Sequence, residues 1–223
     1  MENWNLAMGL MIGAVVLLAV YFLILLITNH SLDKDKRNSL LNSYPYQFYQ
    51  NLSIPLRSLL YFLLFAYLIC AVLGGLFFLV GSNTSYQSII GGMLAFSMIM
   101  LVSGNVVPLT KYKIHILLNM LGFGFISLSL LCFCFVSLIP AGIFYPDSVS
   151  LGSQIIAGIL GFLMFASLFN PKLLDWSKME KSEVDGVSYY EKPKVNCLPL
   201  YEWVYLISTA VVLLCFIINI IIA

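Results

Sequence analysis

The chain contains 223 residues, of which 61% are hydrophobic and 9% charged, and its mean hydropathy is +0.97. Soluble domains carry about 25% charged residues, so this composition excludes an ordinary soluble domain and indicates a membrane protein. The formal net charge of +1 provides no basic surface for a nucleic acid, and no nucleic-acid partner is expected.

Long uncharged stretches follow one another along the chain and define its architecture. A segment of about 20 apolar residues crosses a hydrocarbon core of about 30 Å. Because backbone groups in lipid must bond internally, spanning segments are helices or barrel strands, and these stretches lack the alternating pattern of barrel strands. The sequence therefore predicts an all-α integral membrane protein with six transmembrane helices at residues 6–28, 58–80, 89–107, 114–139, 151–169 and 202–222.

The basic residues predict the orientation of these spans. All 11 Lys and Arg residues lie in three alternating connections, which are residues 29–57, 108–113 and 170–201. By the positive-inside rule these connections are cytosolic and both termini lie outside. Short connections between spans 2 and 5 predict a four-helix core, with spans 1 and 6 flanking it on longer segments. We expect a multi-pass protein of a bacterial cytoplasmic membrane.

Two spans carry ridges of small residues four positions apart. Gly9 and Gly13 form one ridge on the first span, and Ser153, Ala157 and Gly161 form another on the fifth. Such ridges let helix backbones approach closely in lipid. The fifth-span ridge suits packing within the bundle, whereas the first suits docking either on a partner or on the protein's own core.

The first cytosolic segment contains the aromatic sequence YPYQFYQNL. Its residues Phe48, Tyr49 and Leu52 have a spacing that predicts a short helix beginning after Pro45. An apolar face of this kind suits a helix that lies on the inner membrane surface. The segment is therefore expected to act as an anchor or as a binding platform.

Polar residues gather at the junction of the third and fourth spans. His115 and Asn119 are four residues apart and share one face of the fourth helix. Ser103 and Asn105 end the third helix near the same depth. Since polar side chains in lipid turn toward other helices, the four residues predict either interhelical hydrogen bonds or a polar pocket that faces the cytosol.

The segments on either side of the fifth span each contain one notable feature. Asp147 is the charged residue of the outer loop that precedes this span, and it suits either an N-cap or a contact with a ligand or partner. In the cytosolic segment that follows, Asp185 and Gly186 mark a turn.

Several chemistries lack the residues they need. The chain has two His, its five Cys show no C-x-x-C or metal-ligand spacing, and no hydrolase, metalloprotease or P-loop motif occurs. No ionisable residue lies at mid-depth in a predicted span, Glu202 being the acid closest to a helix interior, which disfavours a voltage sensor and transport coupled to buried carboxylates. No catalytic residue, metal site or cofactor is predicted.

Three functions remain open at this point. The first is a non-catalytic accessory or assembly subunit that binds membrane lipids and either another membrane protein or further copies of itself. The second is a small transporter or channel for a neutral or apolar solute, which would use the polar pocket. The third is a membrane enzyme, which would have to use His115 or a loop carboxylate such as Asp147.

Overall fold

A computed structural model gives the fold. It describes residues 2–34, 37–39, 43–49, 52–81, 85–107, 111–135, 151–173, 180–184, 187–191 and 197–222. The helices are α1 (Glu2–Ser31), α2 (Ile54–Gly81), α3 (Ser85–Val106), α4 (Tyr112–Cys134), α5 (Leu151–Ser167) and α6 (Leu198–Ile222). The nearly all-helical character predicted from the sequence is confirmed.

Four of these helices are long and apolar enough to cross a membrane. Their apolar parts are Asn5–Ser31, Ile54–Phe77, Tyr112–Cys134 and Leu198–Ile218. The apolar parts of α3 and α5, Ser88–Gly104 and Leu151–Ser167, are shorter. All six helices coincide in position with the six predicted apolar spans, as far as the chain is described.

Five helices begin two to four residues before the predicted spans, and in two of them a proline explains the early start. The predicted spans 58–80 and 202–222 correspond to α2 and α6, which start at Ile54 and Leu198. Pro55 and Pro199 favour these starts, because a proline in the first helical turn sacrifices no hydrogen bond. The early start of α6 makes Glu202 the fifth residue of the helix rather than the first.

Helix α1 packs mainly against α2. Its buried face carries Ala7, Met11 and Ala14, all with no exposed surface. Gly74 of α2 lets Met11 approach, because a β-carbon at this position would come within 2.9 Å of the Met11 Cγ atom. The opposite face of α1, which includes Val16, is exposed.

Helix α6 lies inside the bundle rather than beside a four-helix core. It packs against α1, α4 and α5, and its hydroxyl-bearing residues reach two more helices, Thr209 bonding Tyr67 of α2 and Tyr205 bonding Ser97 of α3. In α6 56% of the apolar window is buried, compared with 28% in α1. The prediction that span 6 flanks a four-helix core is therefore wrong. The polar face of α6 finds hydrogen-bond partners only inside the bundle.

Residues 43–49, which we call the covering segment, contain a short 3-10 helix, Pro45–Tyr49. The sequence predicts a short helix on the inner membrane surface in this region. Instead, Phe48 and Tyr49 are only 2% exposed and belong to the main hydrophobic core. The segment therefore packs against protein through these two side chains.

Polar tips of aromatic rings hold the covering segment in place. The indole N–H of Trp203 donates a hydrogen bond to the Ser43 carbonyl at 3.0 Å, and the hydroxyls of Tyr21 and Tyr49 lie 2.7 Å apart. The Phe48 ring packs edge-on against Trp203, with ring centroids 5.3 Å apart. Tyr and Trp side chains can be buried in this way because their O–H and N–H groups have hydrogen-bond partners.

A two-stranded antiparallel hairpin lies between α5 and α6. Strands β1 (Glu180–Val184) and β2 (Val187–Glu191) pair with each other, which adds a small sheet to the all-α fold predicted from the sequence. Residues 185–186, where a turn is predicted, lie outside the described residues.

Candidate functional site

Polar groups from three helices meet at one end of the bundle. The group comprises the Gly104 carbonyl of α3, the side chains of His115 and Asn119 of α4, and the Glu202 carboxyl of α6; we call it the His–Glu cluster. Nδ1 of His115 lies 2.8 Å from the Gly104 carbonyl oxygen, and Nε2 lies 2.8 Å from Oε1 of Glu202. The Asn119 amide nitrogen lies 3.3 Å from the same carboxyl oxygen and 3.2 Å from Nε2.

Local sequence explains how the cluster assembles. His115 and Asn119 are one helical turn apart and therefore project from the same side of α4. Gly104 lets α3 approach them, because a β-carbon there would come within 2.7 Å of the Asn119 Oδ1 atom. Glu202 faces them from the first turns of α6, where Pro199 starts the helix.

The cluster is enclosed by protein. The His115 side chain is 5% exposed and that of Glu202 is 12% exposed. The Tyr44 ring of the covering segment meets the imidazole edge-on, with centroids 6.3 Å apart and an interplanar angle of 88°. Around it lies a small hydrophobic group that includes Tyr112 and Leu198. Hydrogen bonds are electrostatically stronger in such surroundings than in water.

A narrow cleft between α4 and α6 borders the cluster. Asn119, Glu202 and Tyr205 line it together with apolar side chains such as Met120 and Phe123. Its volume of about 10 Å³ admits about one water molecule. The cleft thus connects the carboxyl of Glu202 to the hydroxyl-bearing face of α6.

Deeper in the bundle, Tyr205 continues this polar face. Its hydroxyl donates to the Ser97 carbonyl and lies 3.0 Å from the Ser97 hydroxyl, which in turn donates to the Gly122 carbonyl at 2.9 Å. A β-carbon at Gly122 would overlap the Tyr205 ring. Glycine is therefore the residue that lets Tyr205 pass α4 at this position.

The structure brings together two of the four predicted pocket residues. His115 and Asn119 belong to the His–Glu cluster. Ser103 is half-buried on α3 next to Gly104, and among the described residues it does not line the cleft. The side chain of Asn105 lies outside what the structure describes.

The ridge on the fifth span packs within the protein. Ser153 and Ala157 are buried, and a β-carbon at Gly161 would come within 2.9 Å of the Leu130 Cβ atom of α4. The ridge on the first span is different, because an added β-carbon at Gly9 or Gly13 would have nothing within 4 Å.

Asp147, the predicted outer-loop contact, falls in residues 136–150, outside the described part of the chain. The predicted span 114–139 also runs into this region beyond Cys134, the last residue of α4.

Sequence reasoning missed two components of the site, the Gly104 carbonyl and Tyr44. For Glu202 it predicted only that the face of α6 shared with Tyr205, Thr209 and Asn219 docks onto the core. No local pattern indicates the partner of that face, because His115 and Glu202 are 87 positions apart.

Within the described ranges, no three or more His, Cys, Asp or Glu side chains are grouped so as to hold a metal ion. The apolar helices indicate the class of protein, which is a helical membrane protein. Comparisons of the chain with protein-family models, with curated proteins and with solved structures found no match.

Proposed function

We propose that the chain crosses a bacterial cytoplasmic membrane six times, with both termini outside and residues 29–57, 108–113 and 170–201 in the cytosol. The distribution of Lys and Arg supports this orientation. The His–Glu cluster adds support, since Tyr44, His115 and Glu202 follow or lie within these three segments and meet at one end of the bundle. That end then faces the cytosol.

Within that membrane, the protein acts as a non-catalytic accessory or assembly subunit. One observation carries this proposal: the outward face of α1 combines exposed apolar side chains, such as Val16, with two open glycines, Gly9 and Gly13. Lipid alone can cover an apolar helix face. Glycines with open space above them also let a second helix approach the backbone closely. The occupant is another membrane protein, a second copy of the chain, or a tightly bound lipid.

Substitution of these glycines tests the proposal. Leu side chains at Gly9 and Gly13 would block close approach without disturbing the protein's own packing. Gly92 of α3 provides a matched control, because it also has nothing within 4 Å of an added β-carbon. We expect purification in mild detergent, followed by native mass spectrometry, to show a stoichiometric partner that Gly9→Leu/Gly13→Leu weakens by about tenfold or more and that Gly92→Leu retains. Recovery of the chain alone in several mild detergents would contradict the proposal.

The cleft beside Asn119 and Glu202 favours a second candidate, a transporter or channel for a neutral or apolar solute. At about 10 Å³ the cleft holds about one water molecule, so a larger solute requires α4 and α6 to separate. Solute flux into vesicles that contain the purified chain alone would favour this candidate over the subunit.

A further inference from the structure

In the ordinary charge states of its two ionisable residues, the His–Glu cluster places two acceptors 2.8 Å apart. The Asn119 amide can donate to each of them at 3.2–3.3 Å, but it supplies no hydrogen on the line between them. Nδ1 of His115 faces the Gly104 carbonyl, which only accepts, so Nδ1 carries a hydrogen. In a neutral imidazole the other nitrogen, Nε2, is then a bare acceptor. It lies 2.8 Å from Oε1 of Glu202, which is also an acceptor when the carboxyl is ionised. Two lone pairs would face each other at hydrogen-bonding distance.

We infer that the His115–Glu202 pair is a proton-binding site, in which one proton is held between Nε2 and Oε1. A hydronium ion supplies the proton and leaves as water, while one N–H or O–H bond forms on the pair. The product is either an imidazolium beside a carboxylate or a neutral imidazole beside a carboxylic acid. Either form turns a singly negative pair into one with no net charge.

The surroundings favour a proton over other cations as the ligand. The two side chains are 5% and 12% exposed, and the adjoining cleft admits about one water molecule. A net negative charge in such an enclosure is costly unless it is compensated. A proton compensates it without needing the space and the several ligands that a metal ion requires.

The described groups around the pair come from four elements. Gly104 of α3 and Val107, which directly follows α3, contribute backbone carbonyls, and Asn119 of α4 contributes its amide. The titratable side chains that face the pair, its hydrophobic enclosure or its cleft are Tyr44 of the covering segment, Tyr112 of α4, Cys197 just before α6, and Tyr201 and Tyr205 of α6. Lys111 and Lys113, at the start of α4, are exposed.

The position of the site suggests a route for the proton. Glu202 and Tyr205 both line the cleft, so a water molecule in it can hydrogen-bond to the carboxyl and exchange a proton with it. Proton binding holds α4 to α6, because Nε2 and Oε1 attract each other only while a hydrogen lies between them. This inference is independent of the proposed subunit function, since it concerns the interior and not the α1 surface.

Nuclear magnetic resonance on the full-length chain tests the inference directly. The chain has two His, and His30 is exposed at the end of α1, so the variant His30→Gln leaves His115 as the sole imidazole. The protein is labelled with ¹⁵N-histidine, placed in lipid nanodiscs at pH 7, and the one-bond N–H couplings of the ring are recorded. Infrared spectra of the same sample report any protonated carboxyl group.

Two results support the site. Either both ring nitrogens of His115 carry hydrogen, or Nδ1 alone does and a carboxylic-acid band appears that is absent from Glu202→Gln. If that variant does not fold, ¹³C-glutamate labelling assigns the band instead. The inference is overturned if Nδ1 alone carries hydrogen and no such band is present, or if Nε2 carries hydrogen and Nδ1 does not.

Discussion

His115 is the fourth residue of α4. Its side chain contacts groups from α3, α6 and the covering segment. Its ring offers two nitrogens in fixed directions, so it joins a backbone carbonyl to a carboxyl. An apolar residue at this position would fill the space without joining the helices. We therefore regard His115 as the residue that links these three elements.

Removal of one partner from this pair should cost more than removal of both. In His115→Leu the Glu202 carboxyl remains enclosed without its imidazole, and we expect the free energy of unfolding to fall by about 3–5 kcal/mol. In His115→Leu/Glu202→Leu no charge remains to be compensated, so most of that loss should be recovered. Reversible unfolding in bicelles measures these two variants and the second single variant, Glu202→Leu. If the losses of the two single variants simply add in the double variant, the residues do not act as a pair.

Part of the site was predictable from local spacing. The interval between His115 and Asn119 places both on one helix face, and the scarcity of polar residues in the spans makes that face conspicuous. The partner Glu202 was not predictable, because its pairing depends on how α6 rotates and docks, and residue spacing within one helix does not determine that. The Gly104 carbonyl was not predictable either, because every residue has a backbone carbonyl and the sequence does not distinguish one from another.

At the level of elements, the covering segment depends on a buried pair of phenols. Burial raises the pKa of the Tyr49 hydroxyl well above its usual value, so the group stays protonated and shares a hydrogen bond with Tyr21. This bond ties the segment to α1. A Tyr→Phe substitution removes this hydrogen bond and leaves the ring in place.

We expect Tyr49→Phe to loosen the covering segment. The change leaves the Tyr21 hydroxyl buried without this partner, which costs about 1–3 kcal/mol, and it should speed amide hydrogen exchange within residues 43–49. Tyr61→Phe is the matched control, because the Tyr61 ring also stacks near Tyr49 at 4.5 Å between centroids but is 37% exposed. Equal exchange in the two variants would show that the phenol pair does not hold the segment.

The positions of the helices were predicted far better than their arrangement. Apolar length alone located all six, since lipid leaves the backbone few alternatives. The short helix of the covering segment was predicted, but the packing of Phe48 and Tyr49 against the bundle was not, because an aromatic stretch that suits a membrane surface also suits a protein interior. The hairpin β1–β2 was anticipated only at its turn, because strands of five residues leave little periodic signal in a charged segment.

At the scale of the whole molecule, α6 closes the bundle. It is tied to α4 through Glu202, to α3 through Tyr205 and to α2 through Thr209. The three contacts lie on one face, at successive depths from one end of the bundle towards its middle. Loop lengths predicted a peripheral helix instead, because they report which helices are sequence neighbours and not which polar faces must be enclosed.

The proposed orientation places the His–Glu cluster at the cytosolic end of the membrane-crossing helices. Single cysteines placed in a variant without the five native cysteines test it most directly, using a maleimide that cannot cross membranes. We predict that Glu2→Cys is labelled on intact cells, whereas Lys111→Cys and Lys181→Cys are labelled only after the membrane is permeabilised. Labelling of Lys111→Cys on intact cells, or protection of Glu2→Cys, would contradict the account.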